Sequence, residues 1–188
     1  MNDRDATHVE LAALEAGLDE IRRSPKDNGR IELIVRRPSE SERDVLMDAE
    51  LDTANGLIGD NWRLRGSSAT DDGSAHPDLQ ITLMNARAAS LIAGHNDRRP
   101  LAGDQLFVDL DLSRTNLPPG TRLNLGSATI EITNEPHLGC GKFAARFGVD
   151  ALKFVNSEVG RDLHLRGVNA KVVASGVVRS GDSIQKAP

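Results

Sequence analysis

Pro136-His137-Leu138-Gly139-Cys140-Gly141-Lys142-Phe143 joins two kinds of sequence. Before it, residues 121–125 and 128–133 read as a β-hairpin turning at Gly126-Ser127. After it, Phe143, Phe147, Ala151 and Val155 recur at every fourth position with Leu152 beside them, which predicts an amphipathic helix over 142–156. Gly148 weakens the middle of that helix by up to about 1 kcal/mol. The single cysteine of the chain thus stands between a strand and a helix, with glycine on either side. Glycines there allow unusual backbone angles and keep side chains away from the sulfur.

Working outward, short strands dominate. Ile31-Glu32-Leu33-Ile34-Val35-Arg36 reads as a strand, and Val45, Met47, Ala49 and Leu51 alternate with polar positions as in a second, half-buried one. Residues 79–84 and 106–110 add two more, and 168–174 with 177–178 close the series at the turn Ser180-Gly181-Asp182. Asn85 is placed to cap a short helix over 86–92 that ends at Gly94. Leu117-Pro118-Pro119-Gly120 is a tight turn by composition, and 66–77 is a polar loop. Near the N-terminus, Val9, Leu11, Leu14, Leu18 and Ile21 fall at near-helical spacing, with Thr7 as cap, before the break at Ser24-Pro25. The expected fold is mainly β: a closed or nearly closed β-barrel over 29–188 with a few peripheral helices, preceded by a helical extension over 1–28.

Composition narrows the function. The 188 residues suffice for one domain with a real core. No apolar run approaches the roughly 20 residues of a membrane span, and the polar N-terminus lacks the apolar centre of a signal peptide. One cysteine forms no internal disulfide and no multi-cysteine zinc site, so a reducing cytoplasm is expected. Aromatics at 3% and a net charge of −5 argue against nucleic acid as a partner. That charge is uneven. Residues 1–139 hold 15 Lys+Arg against 24 Asp+Glu, whereas 140–188 hold 8 against 4. The segment that starts at the cysteine is locally basic, which favours an anionic ligand, although solvated faces produce such clusters too. No phosphate loop, Gly-x-Ser-x-Gly elbow or metal-binding helix motif is present.

Cys140 is the first candidate for chemistry. Helix N–H groups, Lys142 and Arg146 beside it favour thiolate over thiol, and thiolate is the form that attacks sulfur or binds a soft metal. The competing reading is a small buried hydrophobe. His137 is placed to take the thiol proton or to meet a ligand; a turn histidine bonded to backbone is the alternative. Arg99, within Arg98-Arg99-Pro100, is a basic loop residue within reach of an anion, or half of a solvated pair. Asp104 and Gln105 are, by themselves, a loop-to-strand junction.

Taken together, several pieces resemble the MOSC domain, the module found at the C-terminus of molybdenum cofactor sulfurases and in small stand-alone bacterial proteins. They are Gly59-Asp60-Asn61-Trp62, the run from Leu101 to Asp109, Leu117-Pro118-Pro119-Gly120-Thr121, the cysteine stretch, and Gly176-Val177-Val178-Arg179-Ser180-Gly181-Asp182. The resemblance implies a β-barrel and a cysteine, matched by Cys140, that carries sulfur or ligates the molybdenum of a pterin cofactor. It extends to His137, Lys142, Asp104 and Gln105 as accessory positions. Two functions follow from it. One is a binding module for molybdenum cofactor (molybdopterin) or persulfide sulfur, served by a separate sulfur donor or molybdoenzyme. The other is a molybdenum-dependent reductase of N-hydroxylated compounds fed by an outside electron-transfer protein. The pyridoxal-phosphate domain of the sulfurases has no counterpart in this sequence, so that cofactor is not expected.

Overall fold

The structure, a computed structural model, describes residues 8–188. The expected cap Thr7 lies outside them. In chain order the strands are β1 (Gly29–Arg36), β2 (Asp44–Leu46), β3 (Asp48–Asp52), β4 (Gly56–Leu57), β5 (Ile81–Asn85), β6 (Leu106–Asp109), β7 (Arg122–Leu125), β8 (Ala128–Ile132), β9 (Val168–Ala174), β10 (Gly176–Arg179) and β11 (Ser183–Lys186). The helices are α1 (Leu11–Ala16), α2 (Leu18–Arg22), α3 (Trp62–Arg65), α4 (Ala86–Ala93), α5 (Gly141–Asn156) and α6 (Glu158–Asp162).

Seven strands close a barrel in the order β11-β7-β8-β9-β5-β6-β1, with β1 returning to β11 through Gly29 opposite Ile184. Closure leaves no open barrel edge for another chain to pair with. All barrel pairings are antiparallel except β5 with β6, because α4 carries the chain back over the barrel between them. Asn85 caps α4 as expected: its side chain accepts from the Ala88 amide at 2.9 Å, and Gly94 ends the helix at φ +70°. Beyond the barrel, β2 lies along the far half of β1, and β10, β3 and β4 form a small separate sheet.

Side-chain alternation makes two cores. Ile81, Leu83, Leu106 and Val108 point into the barrel, while Met84 and Phe107 point outward under the helices. That is why Leu106-Phe107-Val108 is an unbroken apolar run. On β1 a bulge between Ile31 and Leu33 resets the phase, so Ile31 and Ile34 face inward and Val35 joins the outer core. Leu14, Ile21, Phe143, Phe147, Ala151 and Val155 complete the outer core, so the N-terminal helices and α5 share one apolar layer on the barrel wall.

Three expectations need correction. The single N-terminal helix is two, α1 and α2, separated at Gly17, where a Cβ would collide with the Leu91 side chain at 2.5 Å. The alternating strand over 45–51 is split at Met47, whose carbonyl accepts from the Ser180 amide, and Val45 and Met47 face solvent. Only Ala49 and Leu51 are buried. The helix over 142–156 is interrupted, not merely weakened: Gly148 sits at φ 91°, ψ 164°, a region essentially restricted to glycine. Its missing Cβ would also stand 2.9 Å from the His8 ring. In a continuous helix Gly148→Ala would add up to about 1 kcal/mol of stability. The break predicts the opposite sign, a loss of about 1–3 kcal/mol in guanidinium unfolding.

Candidate functional site

Loops gather at one rim of the barrel. Ile34 of β1 faces Leu106 of β6, Leu106 faces Leu83 of β5, and Leu83 faces Val168 of β9. The end of β1, the approach to β6, the approach to β9 and the β8–α5 loop therefore meet there. They bring Arg37, Asp104, Arg166 and His137 together from distant parts of the chain.

Two buried carboxylates hold this rim. Asp60 receives Arg37 through two parallel bonds of 2.8 Å, and the third arm of Arg37 donates to the Gly103 carbonyl at 2.9 Å. Asp104, fully buried, accepts from Arg166 at 2.6 Å and faces His137 Nε2 at 2.8 Å. Arg166 also donates to the Ala102 carbonyl and lies 5.0 Å over the Phe143 ring, which ties the rim to α5. Burial pushes the Asp104 carboxyl up, but Arg166 and His137 outweigh it and hold the group below the ordinary carboxylate range. Burial pushes the His137 imidazole down, Arg166 adds to this, and Asp104 opposes without overturning it. His137 is therefore neutral at pH 7. A carboxylate only accepts, so the ring proton is on Nε2 and Nδ1 keeps its lone pair.

Above these pairs opens a cleft of about 750 Å³. Arg37, Arg43, Arg65, Arg146, Arg166 and Cys140 all line it, with His137 and Lys142. The cysteine is exposed, which sets aside the reading of Cys140 as a packed hydrophobe. It occupies the N-cap position of α5 in extended backbone, and its thiol makes no capping bond. Asn156 fixes this loop by exchanging two hydrogen bonds with the backbone of Gly139, at 3.0 and 3.1 Å. Gly139 packs closely there: a Cβ would lie 2.8 Å from side-chain methyls of both Leu152 and Val155, which would have to shift. Because α5 breaks at Gly148, only about two turns of helix point at the sulfur. The arginines, more than the helix, make the cleft positive.

That crowding leaves donors unmatched. Arg43 Nε and Arg166 Nε are buried with no hydrogen-bond partner among the described residues. Arg43 is pushed down by burial and then by Arg146 and Arg37, the mark of cations held close together. Arg65 has no ion-pair partner among the described residues. Arg146 gives one arm to the Leu101 carbonyl at 2.8 Å.

Of the residues singled out from sequence, Cys140, His137, Lys142 and Arg146 converge on the cleft. Lys142 meets Glu40 at 2.6 Å on its exposed lip. Asp104 lies beneath and orients His137. Gln105 is elsewhere: fully buried, it accepts from the Thr82 amide and hydroxyl and donates to the Gln80 carbonyl, pinning β5 to β6. Arg99 is not a cleft residue either; it pairs with Glu32 at 3.0 Å. Sequence reading missed Arg37, Arg43, Arg65 and Arg166. The first three come from the acidic part of the chain, and their only local signal was arginine at the end of a strand and beside Trp62.

The closed mixed barrel is MOSC-like in architecture. Solved structures share it. YuaD from Bacillus subtilis aligns at TM-score 0.64 and 16% identity, over 85% of this chain and 95% of its own. YiiM from Escherichia coli aligns at 0.55 and 17%, over 85% and 70%. A structure described as a hypothetical protein aligns at 0.59 and 17%, over 87% and 69%. At these identities the likeness is one of fold. No family model matches the chain, and no curated sequence does.

Two outcomes follow from the rim. Asp104→Asn leaves Arg166 buried without its counter-charge and destabilises by roughly 3–5 kcal/mol in urea unfolding. His137 carries its proton on Nε2 and titrates below the ordinary ~6.5 in ¹⁵N-detected NMR. Because its pKa is depressed on folding, its share of stability is complete above ~6.5 and is lost as pH falls from there through its lower folded value.

Proposed function

We propose that the cleft holds a molybdenum–pterin cofactor, or sulfur destined for it, with Cys140 as metal ligand or persulfide carrier. One observation carries this reading: an exposed thiol shares its cleft with five arginines, Arg37, Arg43, Arg65, Arg146 and Arg166. Clustered cations favour an anion, and a phosphate presents several acceptor oxygens to them.

The residues suit such a group. A cleft of about 750 Å³ is of the size that takes a cofactor-sized ligand. Arg43, Arg65, Arg146 and Arg166 are the cations to neutralise its phosphate. Cys140 is a soft ligand of the kind molybdenum and persulfide sulfur both accept. Among the described residues no cluster of three His, Cys, Asp or Glu is placed to cage a bare ion. The protein therefore offers a single thiol sulfur, which fits a metal that arrives with sulfur ligands of its own. When bound, such a cofactor supplies redox and group-transfer chemistry at its metal. The protein's own part is to seat the anionic end on arginines, present one sulfur, and keep the His137 Nδ1 lone pair beside the cleft.

Reduction of N-hydroxylated compounds is the second reading, with electrons from an outside protein. It needs protons as well, and His137 is the one imidazole lining the cleft. Asp104 fixes that ring so that it accepts at Nδ1 and passes through the imidazolium.

Purification from a host that makes the cofactor, followed by molybdenum and pterin assay, tests the first reading. We expect near-stoichiometric pterin in the native protein. Arg43→Glu with Arg146→Glu should lower pterin content about tenfold or more through charge reversal. Cys140→Ser should lower molybdenum retention while the fold is kept. Molybdenum content unchanged in Cys140→Ser would contradict a role for the thiol.

A further inference from the structure

A second cavity lies behind the wall of the first. Pro136, His137 and Leu138 separate the two, and Arg166 borders both. The rear cavity measures about 490 Å³ and opens between the β8–α5 loop, α6 and the 114–119 segment. Its floor is apolar: Leu117, Pro119, Ile132, Val155 and Val168 line it. Gly160 and Gly167 also border it, and neither has room for a side chain. A Cβ on Gly160 would meet the Phe154 carbonyl at 2.3 Å, and one on Gly167 the Leu83 carbonyl at 2.2 Å. The close packing behind them keeps the cavity walls fixed.

Its mouth is charged. Arg114 and Arg161 line it, both are exposed, and neither has an ion-pair partner among the described residues. Glu135 is the sole acid in the lining, facing two arginines there and Arg166 at the inner wall. His164 contributes an acceptor. Its Nδ1 meets the Leu112 carbonyl at 2.7 Å and so must be the protonated nitrogen, which leaves Nε2 with a lone pair. An apolar pocket with a few convergent polar groups is the usual build of a small-molecule site.

We propose that this rear cavity binds a small organic anion with a flat apolar body, an aryl carboxylate in chemical class. The apolar floor takes the ring, and Arg114 and Arg161 take the carboxylate. A hydroxyl on the ring would find the His164 Nε2 acceptor. The proposal is independent of the Cys140 reading, because the cations it uses for the carboxylate, Arg114 and Arg161, lie outside the cysteine cleft. The shared His137–Arg166 wall gives a physical connection by which an occupant of one cavity can press on the other.

Titration of ¹⁵N-labelled full-length protein with benzoate, and with benzamide and benzylammonium as neutral and cationic counterparts, tests it. Benzoate should bind with a dissociation constant of about 1 mM or tighter, shifting amides of 133–135 and 158–168. The neutral and cationic probes should bind about tenfold more weakly or worse. Arg114→Gln with Arg161→Gln, two exposed positions that leave the core intact, should raise the constant by about tenfold. Cys140→Ser should leave it unchanged, and this separates failure here from failure at the cysteine cleft. No shifts up to about 20 mM, shifts confined to the Cys140 cleft, or equal binding of benzylammonium would each overturn the proposal.

Discussion

The Asp104 carboxylate organises the rim. It is fully buried, and it is kept charged there by Arg166 and by the proton that His137 donates. From that one group three things follow. Arg166 is held over the Phe143 ring, which ties α5 and its leading cysteine to the barrel. His137 is locked in one tautomer, with its free nitrogen presented to the surroundings. The segment 136–138 becomes a wall with a cavity on either side. Buried ion pairs seldom add net stability over a well-packed apolar core. Their use here is to specify position, since two residues far apart in sequence meet a third at one point.

Much of the fold was legible because barrel physics is local along each strand. Alternation, turn residues and the Asn85 cap mark β1, the β7–β8 hairpin and α4 in the sequence itself. Closure was not visible in this way. It rests on Gly29 meeting Ile184 across nearly the whole chain, and no local pattern encodes that pairing. The break at Gly148 was hidden for a related reason: its phenylalanines keep a helical spacing on both sides of a residue that leaves the helix. Met47 misled because alternation continues through a position where the chain passes from the barrel sheet to the small β10-β3-β4 sheet.

The candidate site was half legible. Cys140, His137 and Lys142 sit close together in sequence, so their grouping could be read directly. Net charge pointed to a basic C-terminal segment, and Arg146 and Arg166 do come from it. Yet Arg37, Arg43 and Arg65 reach the same cleft from an acidic stretch. Charge counted along a chain says little about charge gathered by a closed barrel, whose rim samples every loop. Gln105 shows the converse. It stands next to Asp104, but alternation along the incoming strand turns it inward to the backbone of β5.

Cleft and thiol form one design only if a single occupant meets both. Alkylation of Cys140 by iodoacetamide, with and without molybdenum cofactor released from a denatured molybdoenzyme, measures that most directly. The account predicts that the cofactor slows alkylation by about tenfold or more, and that Arg43→Glu with Arg146→Glu abolishes the protection. An alkylation rate indifferent to the cofactor, or protection that survives loss of the arginines, would contradict it.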